Sequence, residues 1–254
     1  MPRIARKKSD SGIYHVMLRG INKKQIFEEE DDFEKYLQVL KLCQEKSEFK
    51  LMAYCLMGNH FHLLMQEGKE SLEQIFKRIG VRYVYWYNIK YNRTGHLFQD
   101  RFKSEPVDDD SYFLTVLRYI HQNPVKAGMC ENPLQYKWSS CRDYLSDDTG
   151  LTHTAFGLSL FHEDQEKAKE LFTSYMQADE TANCLDFALE NKRITDKEAQ
   201  DLLKEVCGVH SAAEFQTMDK MKRDRNIGLL KKNGLSIRQI TRLTGISFAV
   251  VRKM

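Results

Sequence analysis

Apolar positions recur along this chain with two periods, and the change from one to the other marks its elements. Ile13 to Leu18 reads as a strand, and Arg19-Gly20-Ile21-Asn22 as the loop leaving it. From Asp31 to Lys46, Phe33, Tyr36, Leu37, Leu40 and Cys43 fall at helical spacing behind an acidic first turn. Phe49 to Leu56 is a second strand, Gly58-Asn59 supplies hairpin-turn chemistry, and His60 to Met65 returns as a third. Ser71, with Gln74 at the capping-box position, opens a long helix through Tyr91. A short strand follows near Ser104 to Val107. Asp108-Asp109-Asp110-Ser111 then starts a helix, which the pattern ends near Asn123 because Pro124 follows.

The resulting order, β-α-β-β-α-β plus a helix, predicts an α+β fold: a ferredoxin-like split βαβ motif whose antiparallel sheet carries helices on one face. Ser146-Asp147-Asp148-Thr149-Gly150 reads as a linker, and a mostly helical, acidic stretch runs on to Val206. The C-terminus has its own pattern. A helix over Asp224 to Lys232 is closed by Asn233-Gly234, and Ser236 caps a second over Ile237 to Leu243. Thr244-Gly245-Ile246 makes a tight turn, and Ser247 caps a last helix over Phe248 to Lys253. On a basic background this reads as a helix-turn-helix, a generic helical hairpin being the plain alternative. The expected division is 1–146, a catalytic domain; 147–206, a linker and acidic helical region; and 207–254, an all-α helix-turn-helix domain.

The chain has 254 residues, 42% hydrophobic and 30% charged, the composition of a soluble globular protein. No apolar stretch approaches the roughly 18 residues that span a bilayer, so no membrane partner is expected. The N-terminus, Met1-Pro2-Arg3-Ile4-Ala5-Arg6-Lys7-Lys8, is basic but lacks the apolar segment of a signal peptide. Cys43, Cys55, Cys130, Cys141, Cys184 and Cys207 are scattered without Cys-x-x-Cys spacing, which favours reduced thiols in the cytoplasm over a zinc ribbon. The net charge of +3 hides an asymmetry. Lys220 to Met254 carries ten Lys/Arg against one acid, whereas Glu163 to Glu205 carries twelve acids against six bases. A one-signed basic segment of that size is a nucleic-acid footprint.

The candidate chemistry sits in Met57-Gly58-Asn59-His60-Phe61-His62. On a strand, His60 and His62 leave one face while Phe61 enters the core, which supplies half of a divalent-metal site. Tyr119 and Asn123 share a helix face four residues apart. A metal-binding strand and a helix bearing a phenol and an amide suggest phosphodiester chemistry, with Tyr119 as nucleophile and the Asn123 amide oxygen completing the protein ligands. Either Mg²⁺ or Mn²⁺ suits such a site. Taken alone, His-Phe-His reads as incidental surface polarity, and Tyr119 with Asn123 as packing plus a helix C-cap. His15, His96 and His121 are assigned structural or incidental roles. Between Arg78 and Lys103 basic and aromatic residues interleave, placing phosphate contacts on Lys90, Arg93, Arg101 and Lys103, with Arg19 beside them and the tyrosines mainly structural. In the basic C-terminus, Arg238, Arg242, Arg252 and Lys253 are the candidate duplex contacts.

These motifs together resemble the single-tyrosine HUH transposases, most of all the REP-associated tyrosine transposases. The resemblance rests on Tyr14-His15-Val16-Met17-Leu18-Arg19-Gly20, on the His60/His62 motif, and on Gly95-His96-Leu97-Phe98-Gln99-Asp100-Arg101-Phe102-Lys103. It continues through Arg118 to Gly128 and closes on Tyr136-Lys137-Trp138-Ser139-Ser140, covering roughly the first 145 residues. It implies a catalytic domain that cuts single-stranded DNA next to a hairpin, leaving a 5′-phosphotyrosine and a free 3′-OH. His60 and His62 carry over as metal ligands and Tyr119 as nucleophile; Asn123 falls where the family places a polar metal-assisting residue. The C-terminal segment is similar to the helix-turn-helix of replication-initiator proteins and implies duplex binding. A bacterial, cytoplasmic, nucleoid-associated protein follows, and one tyrosine per chain favours a homodimer for a two-ended reaction. A host-adopted regulator with a vestigial nuclease site is the alternative. A rolling-circle or conjugative nickase fits the spacing less well.

Overall fold

The computed structural model describes residues 6–148, 150–178, 184–185, 196–209, 211–233, 235 and 237–253. The chain divides into two compact units, Met1–Leu185 and Asp186–Met254.

In the first unit, β1 (Ile13–Arg19), α1 (Glu30–Ser47), β2 (Lys50–Met57), β3 (His60–Gln66), α2 (Leu72–Lys90), β4 (Lys103–Pro106) and α3 (Asp110–Lys126) follow the expected order. The four strands form one antiparallel sheet, β2-β3-β1-β4. Gly58 and Asn59 are the two residues turning β2 into β3, with Met57 opposite His60. Each crossover helix spans one intervening strand, and connections of one hand bring both to the same face. There α1 and α2 bury Tyr36, Leu40, Ile79 and Tyr83 against Val16, Leu18, Phe61 and Leu63.

The other face is covered too, which the one-sided expectation did not include. Ile13, Cys55, Met57 and Leu64 pack against Leu117, Tyr119 and Ile120 of α3. The reason is visible in β2, where Leu51 to Met57 is buried without a break. A strand apolar on both sides needs cover on both. So α3 lies across the face that alternation gives to the histidines.

Pro124 does not end α3, as the pattern predicted; the helix continues to Lys126. Pro124 removes one N–H, but the Ala127 N–H still donates to the Asn123 carbonyl at 3.0 Å. The stop is Gly128, whose φ of +69° is the left-handed conformation of a helix C-terminus.

The stretch expected as a linker is divided between the units rather than separate. α4 (Ala155–Ser159) and α5 (Gln165–Gln177) belong to the first. Ala168, Phe172 and Met176 form an apolar stripe on α5, and Phe172 stacks on Tyr144 at 4.5 Å.

The second unit contains α6 (Asp196–Cys207), α7 (Ala212–Thr217), α8 (Lys220–Lys232), α9 (Ile237–Thr244) and α10 (Phe248–Lys253). Leu203, Phe215, Ile227, Leu230, Ile240 and Val251 form its core. α9 and α10 meet at Gly245-Ile246-Ser247, with Gly245 at φ +68° and the Ser247 carbonyl accepting from Val251 N–H at 3.0 Å. The expected stop at Gly234 and cap at Ser236 lie outside the described residues.

Candidate active site

The register places a row of polar side chains on the sheet face beneath α3. Arg19 stands opposite His60 and Met17 opposite His62, while His15 and Met17 stand opposite Glu105 and Lys103. Directly opposed residues leave a sheet on the same side. His15, Arg19, His60, His62, Lys103 and Glu105 therefore share one face, and Phe61 is fully buried on the other.

α3 brings Tyr119 onto this face. Asp109 caps the helix, accepting from Tyr112 N–H at 2.7 Å. The Tyr119 ring meets His62 edge-on at 5.6 Å between centroids and His15 at 5.8 Å, and its residue is 5% exposed. One turn on, the Asn123 side-chain amide donates to the Tyr119 carbonyl at 2.8 Å. Two turns on, Lys126 Nζ lies 4.9 Å from the Tyr119 ring centre. His60 and His62 rings are 5.2 Å apart.

His62 is wholly buried, and His15 Nε2 lies 3.0 Å from its Nδ1. Burial, with His15 and His60 alongside, pushes the His62 pKa well below the ordinary imidazole range. It is neutral at physiological pH, the form that binds metals. Its Nε2 is buried with no hydrogen-bond partner among the described residues, an atom for which a cation is a fitting partner. No group of three or more His, Cys, Asp or Glu able to hold a metal occurs among the described residues, so a two-imidazole site needs an amide, water or phosphate oxygen to complete it.

The match to known families falls on these elements. Residues 8–123 match the family described as "Transposase IS200 like". No curated protein matches the chain. A solved structure, of a REP-associated tyrosine transposase bound to a REP hairpin, shares the fold with a TM-score of 0.51 and 14% identity. The similarity covers 59% of this chain and 88% of that one.

The first unit holds three site residues that sequence reasoning missed or discounted. His15, read as a structural histidine, hydrogen-bonds the site histidine directly. Glu105 Oε1 lies 3.5 Å from His15 Nδ1 and receives the Tyr112 hydroxyl. Burial raises the Glu105 pKa, but His15, Tyr112 and the Leu185 N–H together bring it below the usual carboxylate range. Lys126 sits seven residues after Tyr119, a spacing that shares its helix face and was the one signal available.

Of the predicted phosphate contacts, Arg19 and Lys103 share the histidine face. Arg101 is exposed, and Arg93 lies over the Tyr87 ring at 5.5 Å. Lys90 is a correction. Its Nζ is held by buried Asp32 at 2.8 Å and by Glu29 at 3.0 Å, so its charge is already neutralised within the fold. Tyr83 and Tyr87 are buried, and the Tyr83 hydroxyl donates to the Ile26 carbonyl at 2.6 Å, which makes them structural. His121 is also structural: buried, bonded to Ser140 Oγ at 2.9 Å, and pushed down to a pKa of about 3 by burial. His96 is exposed. Arg238, Arg242, Arg252 and Lys253 are exposed on α9 and α10 of the second unit. Among the described residues no helix is long and apolar enough to cross a membrane.

Proposed function

We propose that this transposase cuts and rejoins single-stranded DNA beside hairpins, with Tyr119 as nucleophile and a divalent cation held by His60, His62 and Asn123. The observation that supports this reading most is Tyr119 lying edge-on to neutral, buried His62, whose Nε2 has no hydrogen-bond partner among the described residues. A solved relative of the same fold is bound to a hairpin, which makes hairpin DNA the substrate to try first.

Bound Mg²⁺ or Mn²⁺ would polarise the scissile phosphate and offset charge developing on it. A phenol is a poor nucleophile at its ordinary pKa near 10, and Lys126, whose Nζ lies 4.9 Å from the Tyr119 ring centre, supplies a positive charge beside the attacking group. Tyr119 Oη bonds to phosphorus, the bond from phosphorus to the 3′-oxygen breaks, and the phenol proton ends on that oxygen as a 3′-OH. The phosphate stays esterified as a 5′-phosphotyrosine, so bond energy is kept for rejoining. Arg19 and Lys103, on the same face, hold flanking phosphates, with Arg93 and Arg101 as further contacts. Arg238, Arg242, Arg252 and Lys253 give α9 and α10 the charge of a duplex-reading helix-turn-helix. With one nucleophile per chain, joining two ends needs two copies. Cytoplasmic, nucleoid-associated placement goes with this chemistry.

The test incubates the protein with Mn²⁺ and single-stranded hairpin oligonucleotides from sequence flanking its gene. An SDS-resistant adduct is expected; Tyr119→Phe should abolish it while hairpin binding stays within about twofold, and His60→Ala should weaken Mn²⁺ binding and cleavage together. Adduct formation by Tyr119→Phe overturns the nucleophile assignment. Specific duplex binding without any hairpin cleavage would favour a regulator with a vestigial site.

A further inference from the structure

On the helix-covered face of the first unit, between α2 and the segment leading into β4, lies a cavity of about 240 Å³. We propose that it takes a single unpaired base of the DNA strand, stacked on the Arg6 guanidinium. The inference deepens the reading above, in which single-stranded DNA beside a hairpin is the substrate.

Leu18, Phe76, Ile79, Phe98 and Phe102 form its apolar wall. Apolar cavities of about 150 Å³ hold a benzene ring, so this one has room for a planar heterocycle. Every nucleobase offers such a face, and stacking on it requires no particular sequence. Arg6 supplies the platform. Its guanidinium lies 3.8 Å above the Phe102 ring centre, and donates to the Glu73 carboxylate at 2.8 Å and to the Phe102 carbonyl at 3.0 Å. Three contacts hold the plane in place, so a base that stacks on it orders little further side chain.

The rim is cationic. Besides Arg6, the exposed residues Lys77 and Arg101 line the cavity. Of the two acids there, Glu73 is paired with Arg6, and Asp100 accepts from the Arg101 N–H at 2.8 Å. An apolar wall with cations at its edge suits a base whose own phosphate stays outside, whereas an apolar side chain of a partner would need no cations. Gly80 is an independent observation. It stands in the middle of α2, where glycine costs helix stability relative to alanine. Packing does not require it, since an added Cβ would meet nothing within 4 Å. Gly80 lines the cavity, so its missing side chain keeps that space open. The position also fits the substrate. Leu18 and Phe102 pack on the helix-covered face, while their neighbours Arg19 and Lys103 share the histidine face. β4 is an edge strand, so DNA passing Tyr119 can turn round that edge and seat one base behind it.

The experiment measures binding of the full chain, without metal so that nothing is cut, to single-stranded hairpin oligonucleotides from sequence flanking its gene. Each unpaired position is made abasic in turn, which deletes a base and keeps its phosphate. One position is expected to lose about 5–150-fold in affinity, the range for one base stacked on one side chain. Gly80→Leu fills the cavity with a better helix former. It should bind the intact oligonucleotide as weakly as the parent binds that abasic one, with the fold retained by circular dichroism, and the abasic change should then cost it nothing more. Arg6→Lys keeps the charge and loses the plane, so it should behave as Gly80→Leu does. Equal affinity at every abasic position, or an abasic loss that persists undiminished in both variants, overturns the proposal and leaves the cavity to another occupant, such as an apolar side chain of a partner protein. A parent that binds no hairpin oligonucleotide overturns the substrate reading first, and the proposal with it.

Discussion

Gly20 shows how a single missing methyl shapes the site. Its φ of −63° and ψ of 145° suit any residue, so conformation does not require glycine there. Space does: an added Cβ would lie 2.1 Å from the Lys24 carbonyl oxygen and 2.9 Å from Ile26 Cγ2. The first neighbour is backbone and has no rotamer to yield. Gly20→Ala should destabilise the protein by about 1–3 kcal/mol in urea unfolding, and should loosen Asn59 because Gly20 N–H holds its carbonyl. His121 gives a pH signature. Its folded pKa of about 3 lies below the ordinary histidine value, because burial disfavours the cation. Below roughly pH 6.5 the unfolded state takes up a proton that the folded state refuses, so stability is full above that pH and falls toward pH 3 by up to about 1.4 kcal/mol per unit. His121→Gln should flatten the loss between pH 6.5 and 4, measured as the difference in urea midpoint from the parent. The His60/Phe61/His62 alternation was legible at this scale, since strand geometry alone sorts three consecutive residues. The His15 and Glu105 contacts were not, because they depend on which strands become neighbours: His15 and His62 are 47 residues apart in sequence.

Among the elements, one buried carboxylate ties the start of α1 to the end of α2. Asp32 is fully buried and accepts from Glu28 N–H at 2.6 Å, Glu29 N–H at 2.9 Å, Lys90 Nζ at 2.8 Å and the Tyr91 hydroxyl at 2.8 Å. Burial raises its pKa, but the bonds from Lys90, the two backbone amides and Tyr91 outweigh that and hold it below the usual carboxylate value. Its contribution is therefore present above the unfolded pKa near 3.9 and is lost as pH falls through the folded value. Asp32→Ala strands Lys90 and two amides, and should cost about 3–5 kcal/mol in chemical denaturation while Lys90→Met costs less. Periodicity located α1 and α2 to within a residue or two, because each carries a full apolar stripe and an acidic or capped start. It misjudged the end of α3 and the number of covered faces. Proline is a strong local signal, but tertiary packing of Pro124 and the Ala127–Asn123 bond carry the helix past it. The second covered face was written in the unbroken apolar run of β2, which alternation-based reading treats as an ordinary strand.

At the scale of the molecule, the division into two units follows from three clusters of buried side chains. Two sandwich the sheet of the first unit, and the third lies wholly within the second. The charge asymmetry of the sequence pointed to a separate basic module, since ten cations in a short segment serve no packing purpose. Where one unit ended was not legible: the acidic stretch contributes α5 to one core and α6 to the other, and only the apolar stripe on each helix says which. Separate cores predict separate melting. Phe215 is fully buried in the second unit, and Phe215→Ala should remove about 3–5 kcal/mol from that unit alone. Calorimetry of the full chain should then show one transition moved to lower temperature and the other in place. Adduct formation on hairpin DNA at a temperature between the two should persist in the variant, because Tyr119, His60 and His62 belong to the unit that remains folded. A single transition shifting as a whole would mean that the two cores unfold as one cooperative body, and that the basic helices contribute stability to the sheet of the first unit as well as charge.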